Sequence, residues 1–409
     1  MDVVTKFFSG GAADAPIGRR RWRAAGAAVA VLTVGAGGAA VYVAEHHGAG
    51  GRPVVDASST RCSLAGTPRR GAQTFAVHNS GQGVVGVYVT GTGEASSVVY
   101  GEVDKVGPGT YADLAVSVAA GRYVVWCHSG LSGNGHAVDF EVRGAALPPA
   151  VGRVRTIPDD FAAPVARYRS FVGEQLGQLT DALADLRTRL QAGELAAARD
   201  GYVTAHSHYE RIGAVYDAFG DLDGSINGLA DGLAHGEADE GFTGFHKLEA
   251  QLWAPSPELR DATATVDRLA TDVATLRSQL DTFEIDPVTY VIRAHEILEN
   301  ALQEQVTGLS EPHSHRGIDD AEASAAGART VLDTLRELIE SRDAALWARL
   351  AGGLDRLDGA LAALRAPSGG HVADDVVDRP RRAELTGAMS ALLQDLALLP
   401  GLIEPRNNS

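Results

Sequence analysis

His246 and Glu249 stand three residues apart in the run Gly244-Phe245-His246-Lys247-Leu248-Glu249. On a helix that spacing sets an imidazole nitrogen and a carboxylate side by side, one turn apart, where both can grip one cation. Phe245, Leu248 and Leu252 form an apolar stripe with His246, Glu249 and Trp253 along its edge, so the pair is expected to face the inside of a helix bundle. A His-x-x-Glu pair recurs often by chance, and its surroundings decide whether it carries chemistry. Upstream, Tyr209-Glu210-Arg211 puts Glu210 beside an apolar stripe, and Asp221-Leu222-Asp223 follows where Gly220 breaks the helix. Downstream, His313-Ser314-His315 occupies a loop with Asp319 and Asp320 close behind. Taken singly, Glu210 reads as a salt-bridge partner and Asp221 and Asp223 as helix caps. Together, carboxylates and imidazole on neighbouring helices compose an oxygen-and-nitrogen site suited to iron, manganese or zinc.

Two kinds of element must position these groups. Residues 74–77, 84–89, 97–100, 114–118, 123–126 and 138–142 are short β-branched or aromatic runs separated by glycine-bearing turns, which predicts a small β-sandwich over 53–144. Cys62 and Cys127 lie near its two ends, and in an oxidising compartment they are expected to pair. Cys127-His128 also reads as half of a copper site. Such a site usually takes an axial methionine, however, and Met1 and Met389 both fall outside this segment. His78 and His136 are further candidate ligands there, more in keeping with surface positions.

After a linker rich in proline and arginine, the pattern turns helical over 159–403. Leu176, Leu179, Leu183, Leu186 and Leu190 alternate steps of three and four, and the same stripe runs from Leu195 through Tyr202 and Tyr209 to Phe219, predicting one continuous helix there. Val266, Leu269, Val273, Leu276 and Leu280 make another. Asp286-Pro287 caps and opens a further helix, and others are predicted over 321–339, 344–364 and 382–399. The chain thus reads as mainly α, a large antiparallel helix bundle behind a small β domain.

The formal charge of -16 argues against nucleic acid as a partner, because phosphate binding needs a basic surface. Arg19, Arg20, Arg21 and Arg23 close a basic tail, residues 1–23, ahead of an uncharged segment, 24–44, which is long enough to cross a bilayer. The expectation is an N-terminal anchor with everything after it outside the cytoplasm; a cleaved signal peptide is the alternative.

Residues 209–253 resemble the imelysin-like family, in particular its EfeO-type iron-uptake members. The resemblance rests on Tyr209-Glu210-Arg211-Ile212, Asp221-Leu222-Asp223 and Gly244-Phe245-His246-Lys247-Leu248-Glu249 with Leu252-Trp253, and more loosely on Val306-Thr307-Gly308 and Ser314-His315. Gly213 and Asn227 stand where many members carry a glutamate and an aspartate. The resemblance implies a cupredoxin-like domain ahead of an imelysin-like helical domain. It also implies an extracytoplasmic (periplasmic or cell-surface) component that captures ferrous or ferric iron, with zinc or copper as alternative metals. A membrane iron permease and a secreted haem peroxidase would be its partners. The metal role falls on Glu210, His246 and Glu249, with Asp223 and His315 completing the candidate set.

Two other functions compete. A metallopeptidase is one, although zinc proteases of the His-Glu-x-x-His type place a base between two ligands and this chain has no such run. A polysaccharide- or surface-binding module is the other, but aromatic residues make up only 6% of the chain and mostly fall on core stripes.

Overall fold

The computed structural model describes residues 51–129, 135–144, 152–154, 156–367 and 369–403. The basic tail and the apolar segment 24–44 lie outside the described residues.

The N-terminal part is two sheets. One holds β1 (Val54–Ser58), β2 (Arg61–Ala65), β3 (Gly71–Asn79) and β6 (Tyr111–Val118) in the order β2-β1-β3-β6. The other holds β4 (Val85–Gly91), β5 (Val98–Val106), β7 (Gly121–Ser129), β8 (His136–Val142) and the short β9 (Arg153–Val154) in the order β8-β7-β4-β5-β9. β1 and β3 run parallel; the other pairings are antiparallel. Alternate side chains of both sheets, among them Val55, Phe75, Leu114, Val87 and Val125, enclose one apolar core, as the period of two along a strand requires. Cys62 on β2 is bonded to Cys127 on β7, with Cα atoms 5.5 Å apart, so the disulfide ties one sheet to the other. With Cys127 so engaged, the neighbouring His128 faces Asp104 at 3.7 Å, and His78 pairs with Asp56 at 3.5 Å.

The rest of the described chain is helical. α1 (Ala162–Gln191) and α2 (Leu195–Glu210) form an antiparallel hairpin. The short α3 (Asp221–Asn227) and α4 (Gly244–Leu252) follow, then α5 (Leu259–Gln279), which packs on α1. α6 (Pro287–Asn300), α7 (Gly317–Arg342), α8 (Ala344–Ala362), α9 (Arg379–Leu396) and α10 (Leu399–Ile403) complete the bundle. The leucine stripes do what their spacing requires: Leu176, Leu183, Val273, Leu332 and Leu357 all lie in one continuous core. Asp286 caps α6, accepting from the Thr289 amide at 2.9 Å.

One expectation needs correction. The stripe from Leu195 to Phe219 is not a single helix: α2 stops at Glu210, and the chain goes on as a tight turn (Gly213–Val215) and a short helical turn (Tyr216–Phe219). The break coincides with close packing: Gly327 of α7 comes so near that a Cβ on it would sit 2.4 Å from the Arg211 carbonyl oxygen. The Tyr216 hydroxyl donates to the Tyr209 carbonyl at 2.9 Å, beside the Ile212 amide, which donates to the same oxygen at 3.0 Å.

Candidate metal centre

α4 delivers His246 and Glu249. It can start where it does because residue 244 is glycine: Gly244 has φ +74°, and a Cβ there would fall 2.1 Å from the Ile226 carbonyl oxygen. The glycine therefore lets the start of α4 press on the end of α3, where Asn227 sits. Phe245, Leu248 and Leu252 bury themselves completely, and His246 and Glu249 are carried inward with them, 5% and 1% exposed.

What they meet comes from three other segments. α2 contributes His206 and Glu210, one turn apart on its buried face. The segment between α6 and α7 contributes Glu311, fully buried, and the first turn of α7 contributes Asp320. His206 Nδ1 lies 3.4 Å from Glu311 Oε1 and 3.2 Å from Asp320 Oδ1. His246 Nδ1 lies 3.6 Å from the same Glu311 oxygen. Neither Nδ1 atom makes a hydrogen bond, although both are buried. Two buried imidazole nitrogens aimed at carboxylate oxygens from separate elements, at ion-pair distance but without a well-aligned hydrogen bond, suit a metal-ligand set. The spacings agree: ligands about 2.1 Å from an ion stand roughly 3.0–3.4 Å apart when adjacent.

Surrounding groups fix the orientation of these ligands. His206 Nε2 donates to Asn227 Oδ1 at 2.8 Å, while Asn227 Nδ2 donates to Glu210 Oε1 at 2.8 Å. Glu210 Oε2 accepts from Gln305 at 2.7 Å and from Ser324 at 3.3 Å. Gln305 reaches it from a π-turn (Ala301–Gln305) that extends α6. Glu311 accepts from the Tyr202 hydroxyl at 2.7 Å and from Ser314 Oγ, and Glu249 Oε1 accepts from the amides of His313 and Ser314 at 2.9 and 2.7 Å. The buried face is thus held by hydrogen bonds, with the two Nδ1 atoms left over.

Four buried carboxylates in one place cannot all be ionised without compensation. Burial, and after it the charge of Glu311, pushes Glu249 up to about 8 despite the amides it accepts from. Burial likewise raises Asp320 to about 7, against the pull of His206. Glu311 keeps the negative charge: burial opposes it, but His206, His246 and Ser314 hold it down at about 2. Burial keeps His246 neutral, lowered to about 4. For His206 burial opposes the charged form, yet Asp320, Glu210 and Glu311 outweigh it and raise its pKa well above the ordinary range. Protons therefore occupy the acidic cluster at neutral pH, and a cation would displace them.

Of the residues singled out in the sequence, His246 and Glu249 lie in this cluster, and Glu210 joins it through His206, 3.2 Å away. Asp223 and His315 do not. Asp223 accepts from the Tyr209 hydroxyl at 2.6 Å. His315 faces Asp374 at 3.2 Å and belongs with Asp374 and Asp375 to a separate, more exposed group. Gly213 lies against Ile297, in apolar surroundings. His206 and Glu311 were not picked out from sequence, and Asp320 was noted only as a neighbour of the His313-Ser314-His315 loop. His206 carried a signal, since it stands four residues before Glu210 and shares its helix face. Glu311 carried none, as an isolated acid before a proline.

Fold and centre together define an α-helical bundle protein with a buried histidine-carboxylate cluster behind a disulfide-stapled two-sheet domain. The imelysin family model (Peptidase M75) matches residues 164–399, and the chain belongs to the imelysin family. It is similar to the iron uptake system component EfeO of Yersinia pseudotuberculosis, 29% identical over 343 residues that cover 83% of this chain and 87% of that protein. EfeO of Escherichia coli O157:H7 is 27% identical over 306 residues, 75% of this chain and 80% of its own length. The iron uptake system component EfeM of Pseudomonas syringae is 28% identical over 258 residues, 63% of this chain and 90% of its own length.

Proposed function

We propose that this chain is the extracytoplasmic iron-capturing component of an EfeO-type uptake system, handing iron to a membrane permease and working beside a secreted haem peroxidase. The observation that carries the reading is the pair of orphaned imidazole nitrogens, His206 Nδ1 and His246 Nδ1, converging on Glu311 in a chain whose relatives are named iron uptake components. Oxygen and imidazole ligands suit iron and release it more readily than thiolates would. His246, Glu249 and Glu311 are the proposed ligands, with Glu210 steadying His206 instead of facing the ion. The two-sheet domain, 53–144, is proposed as cupredoxin-like and the helical domain, 159–403, as imelysin-like. The disulfide fits an oxidising compartment, and residues 24–44 are proposed as the anchor.

Peptidase chemistry has less support: the chain has no His-Glu-x-x-His run, and its relatives are named iron uptake components. The deciding experiment is anaerobic titration of the chain with Fe2+ by calorimetry, with melting followed in parallel. Bound iron should raise the melting temperature, and a His246→Ala, Glu249→Ala double variant should lose the effect. No heat and no shift in the wild type would end the reading.

A further inference from the structure

The ligand atoms of the centre do not form one ring. They fall into two trios, His206-Glu311-Asp320 and His246-Glu249-Glu311, each with its atoms within 4.8 Å of one another. Among the described residues no such group contains both histidines. Two ligands of one ion lie at most about 4.2 Å apart, twice a bond of roughly 2.1 Å, so a set that cannot be drawn together within a little more than that does not share a single ion as it stands. Each trio, however, has its own unpartnered Nδ1, on a histidine at least nine-tenths buried, and both nitrogens face the same oxygen, Glu311 Oε1, at 3.4 and 3.6 Å.

Four buried carboxylates gather here, Glu210, Glu249, Glu311 and Asp320; among the described residues the ion pairs of Glu210, Glu311 and Asp320 run to His206 and His246, with no lysine or arginine. Each trio thus brings two carboxylates and one imidazole to its ion. The second imidazole is also prepared for a ligand role. Asn227 Oδ1 can only accept, so His206 Nε2 carries the hydrogen, and Nδ1 is the nitrogen left for an ion.

We infer that the centre seats two cations, one in each trio, with Glu311 as their common ligand. This rests on the metal-binding reading above and extends it by a second ion at His206 and Asp320.

Mn2+ is the probe, because two manganese ions sharing a carboxylate oxygen give an exchange-coupled electron paramagnetic resonance spectrum, whereas isolated ions give a simple six-line one. The full chain, freed of metal, is titrated with Mn2+ and the bound equivalents counted. The wild type should show the coupled spectrum. Asp320→Asn and His206→Gln should each lose one equivalent and leave an uncoupled ion, and His246→Ala should do the same from the other side. Because His315, Asp374 and Asp375 form a separate group, the count is read as the difference between wild type and variant. The wild-type spectrum decides the matter even if a variant fails to fold. An uncoupled wild-type spectrum, or Asp320→Asn and His206→Gln proteins that retain every equivalent, would overturn the inference. A wild type that binds neither Mn2+ nor Fe2+ would overturn the iron-capture reading with it, whereas coupled Mn2+ without Fe2+ uptake would sink only that reading.

Discussion

His206 and Asn227 are joined through Nε2 and Oδ1 at 2.8 Å, and this contact decides which nitrogen of the imidazole faces the cluster. The same amide donates to Glu210, so one side chain orients a histidine and satisfies a buried carboxylate at once. Asn227→Leu removes both contacts without changing the size of the residue greatly. Metal affinity should fall by about 10–100-fold, the usual cost of losing a partner that orients a ligand. Calorimetric titration of the variant against wild type measures it; an unchanged dissociation constant would show that the contact orients nothing.

The protons held by the metal-free cluster give stability a definite pH dependence. Glu249 and Asp320 titrate at about 8 and about 7 in the folded protein, whereas free carboxylates titrate near 4. The folded state keeps protons that the unfolded chain releases, so this contribution is full at acidic pH and is lost as pH rises toward 8. Glu311, held at about 2, and His246, lowered to about 4, act in the opposite sense: their contributions are lost as pH falls. The metal-free melting temperature should therefore peak at mildly acidic pH and decline toward pH 8. Glu249→Gln cannot ionise but can still accept from the His313 and Ser314 amides, and it should flatten the decline. A wild-type curve that climbs steadily from pH 6 to 8 would contradict this.

Loading the centre should expel those protons. At pH 6, binding should release protons in proportion to the metal bound, read as a dependence of the calorimetric heat on the ionisation enthalpy of the buffer. Affinity should weaken as pH is lowered below 7. Heats that do not vary between buffers would mean that Glu249 and Asp320 are already ionised or are not ligands.

Gly244→Ala tests how the pair on α4 is placed. A left-handed φ costs a residue with a Cβ about 1–3 kcal/mol, and here the methyl would also run into the Ile226 carbonyl oxygen. The melting temperature should drop by several degrees, and metal binding should weaken because His246 and Glu249 move with the helix start. Full retention of both would show that α4 can begin elsewhere.

The disulfide belongs to a core separate from that of the metal centre. Removing it, as Cys62→Ala with Cys127→Ala, should destabilise the two-sheet domain by about 4 kcal/mol on the chain-entropy account. Metal stoichiometry should not change. Scanning calorimetry should show the transition of the β domain shifting while that of the helical domain stays in place, and loss of metal along with the disulfide would place a ligand in the β domain.

Much of this protein was legible from residue order. Alternation of two and of three-and-four separated strands from helices because the faces of both elements repeat locally. The Gly-Phe-His-x-x-Glu run announced His246 and Glu249 because a helix brings residues three apart together wherever it lies. Tertiary structure decided the rest. His206 lies far along the chain from Glu311 and Asp320, and nothing local marks Glu311 as a ligand. Asp223 and His315 had equally good local credentials and lie elsewhere, one against the Tyr209 hydroxyl and the other in a separate group with Asp374 and Asp375. Local spacing determines which side chains share a face; which faces meet is settled by packing over long sequence separations, and a buried cluster of ligands is made only by that meeting.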